Sequence, residues 1–213
     1  GEMGIGNTTA AAAVICSLLD CPADMIVGRG TGVDDEGLAR KVEAVTTAVD
    51  RFRRQPSVGA DNSSDRGDRG GRDGAQDLRS HLAPPGDATK ALETMRHLGG
   101  TELAAMAGAL VEARCRSVPV LLDGFVVGAS AMAVHHLHPE ATRHLWAGHR
   151  SAERGHRAVL DHLELRPLLD LDLRLGEGSG AMAAVPLVRM ACALVTEVPT
   201  FTEWFGPAPS EAS

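Results

Sequence analysis

Val118-Pro119-Val120-Leu121-Leu122-Asp123-Gly124 is the stretch that decides the fold. Five apolar residues run without a break into an acidic residue and a glycine. A run this short reads as a strand buried on both faces, of the kind found in parallel sheets, delivering a functional loop. Downstream, Val126 to Val134 is small and apolar and predicts a packed helix. His144 to Ala147 predicts a second strand ending at Gly148-His149, and Glu153 to Leu163 a helix. Asp170 to Leu175 is a short segment leading into Gly176-Glu177-Gly178-Ser179-Gly180, and Ala181 to Thr196 predicts an apolar final helix. Upstream, Thr8 to Leu19 is alanine-rich, with Asn7 or Thr8 to cap it and Cys21-Pro22 to stop it. Glu36 to Arg54 follows Asp34 and Asp35 and ends in arginines, as the helix dipole favours. Thr89 to Leu98 and Thr101 to Arg116 complete the helices, the latter with Leu103, Met106, Ala107 and Leu110 on one face. Helices alternate with short apolar runs that end in glycine-rich or acidic loops. The expected fold is α/β: a parallel sheet with flanking helices in a Rossmann-like three-layer arrangement, incomplete at the N-terminus. Its site is expected at the carboxyl ends of the strands.

The chain of 213 residues and 22.3 kDa is long enough for one sizeable core. Its net charge of -7 argues against a nucleic-acid surface, and 3% aromatics with no Tyr against base stacking. No apolar run is read as approaching the roughly 18 residues that a membrane helix needs. Cys16, Cys21, Cys115 and Cys192 form no CxxC pair, so a disulfide framework is not expected and a reducing, cytoplasmic setting fits. The sequence opens at Gly1-Glu2-Met3-Gly4 inside a glycine loop and without a leader pattern, which is read as a chain lacking an N-terminal portion. Gln55 to Asp87 holds Gly, Asp, Arg and Ser with almost nothing to bury, and is expected to be a disordered insert. The organisation expected is therefore 1–54, an insert at 55–87, 88–205 with the catalytic loop, and a flexible tail at 206–213.

Three glycine loops carry the chemistry: Gly1 to Thr9 (GEMGIGNTT), Gly28 to Gly32 (GRGTG) and Gly176 to Gly180 (GEGSG). The first and third run into helices, whose N-termini suit phosphate, and Thr8 and Thr9 add hydroxyls. Any one of them reads as readily as a tight turn; three in one α/β chain point to a phosphate or ribose ligand. A Walker A loop needs Gly-Lys-Ser/Thr, which does not occur, and a Rossmann fingerprint would put glycine where Thr9 stands. Glu2 and Glu177 are each flanked by glycines, which places a carboxylate to project into a cleft as a base or as a stabiliser of positive charge. Seven of the nine histidines lie between His135 and His162, so a metal at His135, His136 and His138 must be weighed, although their spacing matches no standard motif. His149 and His156 bracket Ser151 and Glu153 in AGHRSAERGH.

GEMGIGNTTAAAA, VGRGTGVDDEGLARK, VPVLLDGFVVGASA, AGHRSAERGH and LLDLDLRLGEGSGAMAA, in that order, resemble the nicotinate-nucleotide–dimethylbenzimidazole phosphoribosyltransferases of cobalamin lower-ligand assembly. The resemblance spans nearly the whole chain outside the insert and the tail. It implies transfer of phosphoribose from nicotinate mononucleotide to 5,6-dimethylbenzimidazole, giving α-ribazole 5′-phosphate and nicotinate, by a homodimer without cofactor or metal. Glu177 is then the implied base and Glu2 its supporting carboxylate. Gly4, Gly6, Asn7, Thr8 and Thr9, with Gly30, Thr31 and Gly32, are implied in the phosphoribosyl cradle, and Lys41 in neutralising the phosphate. Asp123, Gly124 and Ser151 are implied to face the nucleotide. Met3 and Leu175, with Gly176, are implied beside the benzimidazole. Arg154 departs from the proline usual there, and the insert after Arg54 lengthens a connection that is normally short. Two other readings stay open: a nucleotide-binding fragment without catalysis, and a histidine-rich metal-binding protein.

Overall fold

The computed structural model describes residues 6–30, 32–55 and 87–206. Glu2, Met3, Gly4, Thr31, nearly all of the 55–87 insert and the tail beyond Gly206 lie outside the described residues.

Three parallel strands form the sheet: β1 (Val120–Leu122), β2 (Leu145–Ser151) and β3 (Pro167–Leu173), in the order β1-β2-β3. Helix α6 (Phe125–Leu137) carries the chain from β1 to β2, and α7 (His156–His162) from β2 to β3. This is the parallel sheet with flanking helices expected from the sequence. The edges of the elements differ. β2 continues past Ala147 to Ser151, so Gly148-His149 lies within the strand. Gly148 is there because another element comes close, not because the chain turns: a Cβ on it would sit 2.7 Å from the Ala181 Cα and 3.0 Å from the Leu122 carbonyl oxygen. β3 starts at Pro167, since proline is tolerated at the first residue of a strand. α7 begins only at His156, because Gly155 is wedged against Ile26 and the Phe125 ring, leaving Glu153 in a loop.

Helices pack as the sequence demands. α1 (Thr8–Leu19) is buried all round from Ala11 to Leu19, as an apolar helix without a polar stripe must be. It lies against α3 (Asp35–Arg53), α4 (Ala88–Leu98) and α6. Its end is a Schellman-type stop: Asp20 is left-handed and the Cys21 N–H donates to the Cys16 carbonyl. A one-turn helix, α2 (Ala23–Ile26), then follows Pro22; the sequence pattern does not signal it. α3 is capped by the Asp34 carboxylate, which accepts from the Gly37 N–H, and buries only Val45 and Val49. α5 (Thr101–Cys115) buries Leu103 and Leu110 and rests Met106 and Ala107 on the core. Buried hydroxyls are paired: Ser17 with Thr94 at 2.9 Å, and Ser130 donating to the Leu103 carbonyl.

α8 (Ser179–Glu197) lies along β2 but buries only Gly180 and Ala184. Met182, Leu187, Met190, Leu194, Val195 and Val198 are exposed, as are Phe201, Trp204 and Phe205 of α9 (Phe201–Phe205). α8 also corrects the sequence reading of apolar length. Its 19 residues, with a window of mean hydropathy 1.5, are long and apolar enough to cross a membrane. Pro186 and Arg189 interrupt the run on paper without ending the helix.

Candidate functional site

A cleft opens at the carboxyl ends of the three strands. Asp123 and Gly124 follow β1, Ser151 ends β2 and precedes Glu153, and Arg174, Leu175 and Gly176 follow β3. Thr8 and Gly30 close the far side, and Phe125, Val126 and Val127 at the start of α6 supply a mostly apolar wall. This is where an α/β sheet places its ligand.

The first two glycine loops meet at Lys41. Its ammonium donates to Thr8 Oγ1 at 3.0 Å and to the Gly28 carbonyl at 2.9 Å, so α3 is tied to the N-terminus of α1. Burial pulls the Lys41 pKa down, and the charge of Glu153 pushes back. Gly30 keeps the approach to this ammonium open: its φ is +59°, and a Cβ would lie 3.4 Å from Thr8 Oγ1 and 3.6 Å from Lys41 Nζ. Asn7 is buried with its Oδ1 unpartnered among the described residues, and Thr9 is half-buried on the first turn of α1. Gly6 and Gly32 hold positive φ in open space.

Asp123 organises the opposite corner. Its Oδ1 accepts from the backbone N–H of Gly180 at 2.9 Å and of Ala181 at 3.0 Å, and its Oδ2 accepts from that of Gly178 at 3.2 Å. His149 Nε2 stands 3.4 Å from Oδ1. Burial opposes ionisation of this carboxyl, but the His149 contact, the Ala181 N–H and the His149 charge outweigh it, bringing the pKa to about 2. One expectation is corrected here. Asp123 lines the cleft, and its carboxylate accepts from the first turn of α8. The third glycine loop therefore offers no free helix N-terminus to a phosphate, because Asp123 already fills it. What the arrangement does instead is hold three consecutive left-handed residues, Gly176, Glu177 and Gly178, at φ of +81°, +58° and +82°. Glu177 is exposed and directly follows the cleft-lining Gly176, while Leu175 lines the cleft and is 74% exposed.

The AGHRSAERGH segment supplies the floor. His156 is buried, and its Nδ1 accepts from the Ser151 N–H at 2.9 Å. Burial first, and then the His149 charge, push its pKa down to about 4, so it is a neutral acceptor that fixes the end of β2. Gly180 is required beside His149: a Cβ there would come within 2.0 Å of the imidazole ring. Ser151 and Gly124 both face the cleft. Glu153, Arg174 and the Phe125–Val127 wall were not singled out from the sequence as ligand-facing; only the position of Glu153 within AGHRSAERGH signalled it.

The histidine cluster lies elsewhere. His136 and His162 stack with ring centroids 5.0 Å apart, and His135 meets His162 edge-on at 5.6 Å. Burial lowers the pKa of His136 and of His162 to about 4. Among the described residues no group of three or more His, Cys, Asp or Glu is placed to hold a metal ion.

A family model described as phosphoribosyltransferase (DBI_PRT) matches residues 1–66 and 75–204. Nicotinate-nucleotide–dimethylbenzimidazole phosphoribosyltransferases are similar to the chain: that of Bradyrhizobium sp. is 47% identical over 95% of it, and that of Chloroflexus aurantiacus 41% over 95%. The chain spans about half the length of these curated relatives, 49% in both. Among solved structures, CobT from Thermus thermophilus is 42% identical with a TM-score of 0.75, covering 99% of this chain and 53% of that one. The chain belongs to the nicotinate-nucleotide–dimethylbenzimidazole phosphoribosyltransferase family.

Proposed function

We propose that this chain supplies the phosphoribosyl-binding and base-bearing parts of an enzyme that transfers phosphoribose from nicotinate mononucleotide to 5,6-dimethylbenzimidazole. The observation that carries the reading is the two-cornered cleft. Thr8, held by Lys41 at the N-terminus of α1, lines one side of it, and Gly176, which leads into Glu177, lines it beyond the strand ends. Residues 1–54 contribute the phosphate corner and 88–205 the loop with the base, joined through 55–87.

The chemistry follows from the groups present. The C1′–N bond of nicotinate mononucleotide joins ribose to a cationic pyridinium. As that bond breaks, its electron pair neutralises the departing ring, so the leaving group needs no acid and no metal. C1′ gains oxocarbenium character, which carboxylates nearby stabilise; Glu2 is assigned that part with Glu177. One nitrogen of the benzimidazole attacks C1′, and the proton on its other nitrogen passes to Glu177 as general base. Lys41, Thr8 and Gly30 hold the phosphate, with Gly6, Asn7, Thr9, Gly32, Gly4 and Thr31 completing the cradle. Asp123, Gly124 and Ser151 face the nucleotide. Met3, Leu175 and Gly176 flank the flat base, for which Val126 and Val127 give an apolar backing.

The exposed apolar face of α8 and α9 supports a protein partner, for which a second copy of the chain is our assignment, and a cytoplasmic setting fits its four free cysteines. The test is Glu177→Gln. It removes the proton acceptor while keeping shape, so formation of α-ribazole 5′-phosphate should be lost while nicotinate mononucleotide still binds. Near-normal turnover would sink the assignment. Binding of the nucleotide without any transfer by the unsubstituted chain would favour a binding fragment.

A further inference from the structure

Glu153 stands out as a buried carboxylate oxygen with nothing to bond. Its Oε2 is shielded from solvent and has no hydrogen-bond partner among the described residues. A buried acceptor left unsatisfied is costly, and an ionised one more so, so the arrangement asks for a donor that arrives from outside.

The backbone around it is fixed. The Glu153 N–H donates to Ser151 Oγ at 3.2 Å, and its carbonyl accepts from the His156 N–H at 3.0 Å. Gly155 is clamped, since a Cβ there would lie 2.7 Å from the Ile26 carbonyl oxygen and 2.8 Å from the Phe125 ring. Gly28 makes the room: a Cβ on it would sit 2.2 Å from Glu153 Oε2. Gly28 thus leaves room for one carboxylate at the wall of the cleft, which Glu153 lines with Thr8, Gly30 and Ser151, while Gly155 fixes the backbone that carries it. Lys41 does not satisfy it. The ammonium donates to Thr8 and to the Gly28 carbonyl, and acts on Glu153 only across space.

A carboxylate repels phosphate, so its partner is a neutral donor held beside the phosphate corner. We infer that Glu153 accepts a hydrogen bond from a hydroxyl of the ribose whose 5′-phosphate lies at Lys41. The inference rests on the phosphoribosyl reading above. It divides the cleft between a cationic end for the phosphate and an acceptor for the sugar.

The experiment is calorimetric titration of the full chain, unsubstituted and as Glu153→Ala and Glu153→Gln, with ribose 5-phosphate and with inorganic phosphate. Circular dichroism melting checks that each variant folds. Loss of a charge-assisted bond should weaken ribose 5-phosphate on the order of 10- to 100-fold in Glu153→Ala, and less in Glu153→Gln, which keeps an acceptor oxygen and the shape. Inorganic phosphate should bind as before or more tightly, because a negative charge has gone. If both ligands weaken alike, Glu153 acts through Lys41 or the fold and the inference fails. Unchanged ribose 5-phosphate affinity also overturns it. Failure of the unsubstituted chain to bind either ligand overturns the phosphoribosyl reading beneath it.

Discussion

Asp123→Asn isolates the charge that holds the Glu177 loop. The folded carboxyl ionises at about 2 against an ordinary 3.8, so its folded surroundings contribute roughly 2 kcal/mol at neutral pH. The shift is downward, so this stability is present above pH 3.8 and is lost as the pH falls toward 2. Asn keeps an oxygen for Gly180 and Ala181, but its amide nitrogen opposes the Gly178 N–H, now 3.2 Å from Oδ2. The loss of charge at the start of α8 and one frustrated donor together put the cost at about 2–4 kcal/mol. Glu177 would lose part of what holds it at φ +58°, a conformation costing a non-glycine residue about 1 kcal/mol. Urea unfolding at pH 7, followed by far-UV circular dichroism, measures the stability loss. Limited proteolysis around residues 174–180 measures release of the loop. A destabilisation below about 1 kcal/mol, with unchanged proteolysis, would refute the view that Asp123 organises this loop.

Other substitutions probe separate parts of the site. Lys41→Met should raise the dissociation constant for nicotinate mononucleotide by on the order of 10–100-fold, as expected for a lost charge-assisted phosphate contact, and should also lower the melting temperature, because the Gly28 carbonyl and the Thr8 hydroxyl lose their donor. A change under threefold by calorimetry would remove Lys41 from the phosphate corner. Gly180→Ala forces a Cβ into the His149 ring and should destabilise by about 1–3 kcal/mol, read from the same urea curves. Acid sensitivity follows from His136, His156 and His162, each with a folded pKa near 4. The unfolded histidines take up protons near pH 6.5 while the folded ones stay neutral. Stability should therefore fall between pH 6.5 and 4, by up to about 1.4 kcal/mol per pH unit for each histidine. A flat profile across that window in pH-dependent urea unfolding would contradict the burial of these rings.

The parts of the fold that were legible are those where a local pattern has one solution. Val120 to Leu122 is apolar, short and followed by Asp123-Gly124, and it is a parallel strand as read, but only Leu122 is fully buried because β1 stands at the edge of the sheet. Thr8 to Leu19 is too rich in alanine to be anything but helix. What the sequence misassigned depends on contacts from afar. Gly148 looks like a turn residue until α8 is laid across it, and Gly155 delays α7 because Ile26 and Phe125 crowd it. β3 starts at Pro167, three residues before the expected Asp170. The same holds for the site. Loops Gly28–Gly32 and Gly1–Thr9 announced a ligand through glycine spacing, and the described parts of both do converge on Lys41. The Gly176–Gly180 loop announced one too, but no local pattern tells that a carboxylate 55 residues upstream occupies its amides. Glu153 gave only the weak signal of a carboxylate in a histidine-bracketed segment, because its burial is made by Gly28, far away in the chain.

Nicotinate release from nicotinate mononucleotide by this chain, with and without 5,6-dimethylbenzimidazole, tests the central claim most directly. The account predicts release that depends on the benzimidazole and disappears in Glu177→Gln. Release that ignores the benzimidazole, or that persists in Glu177→Gln, would contradict it.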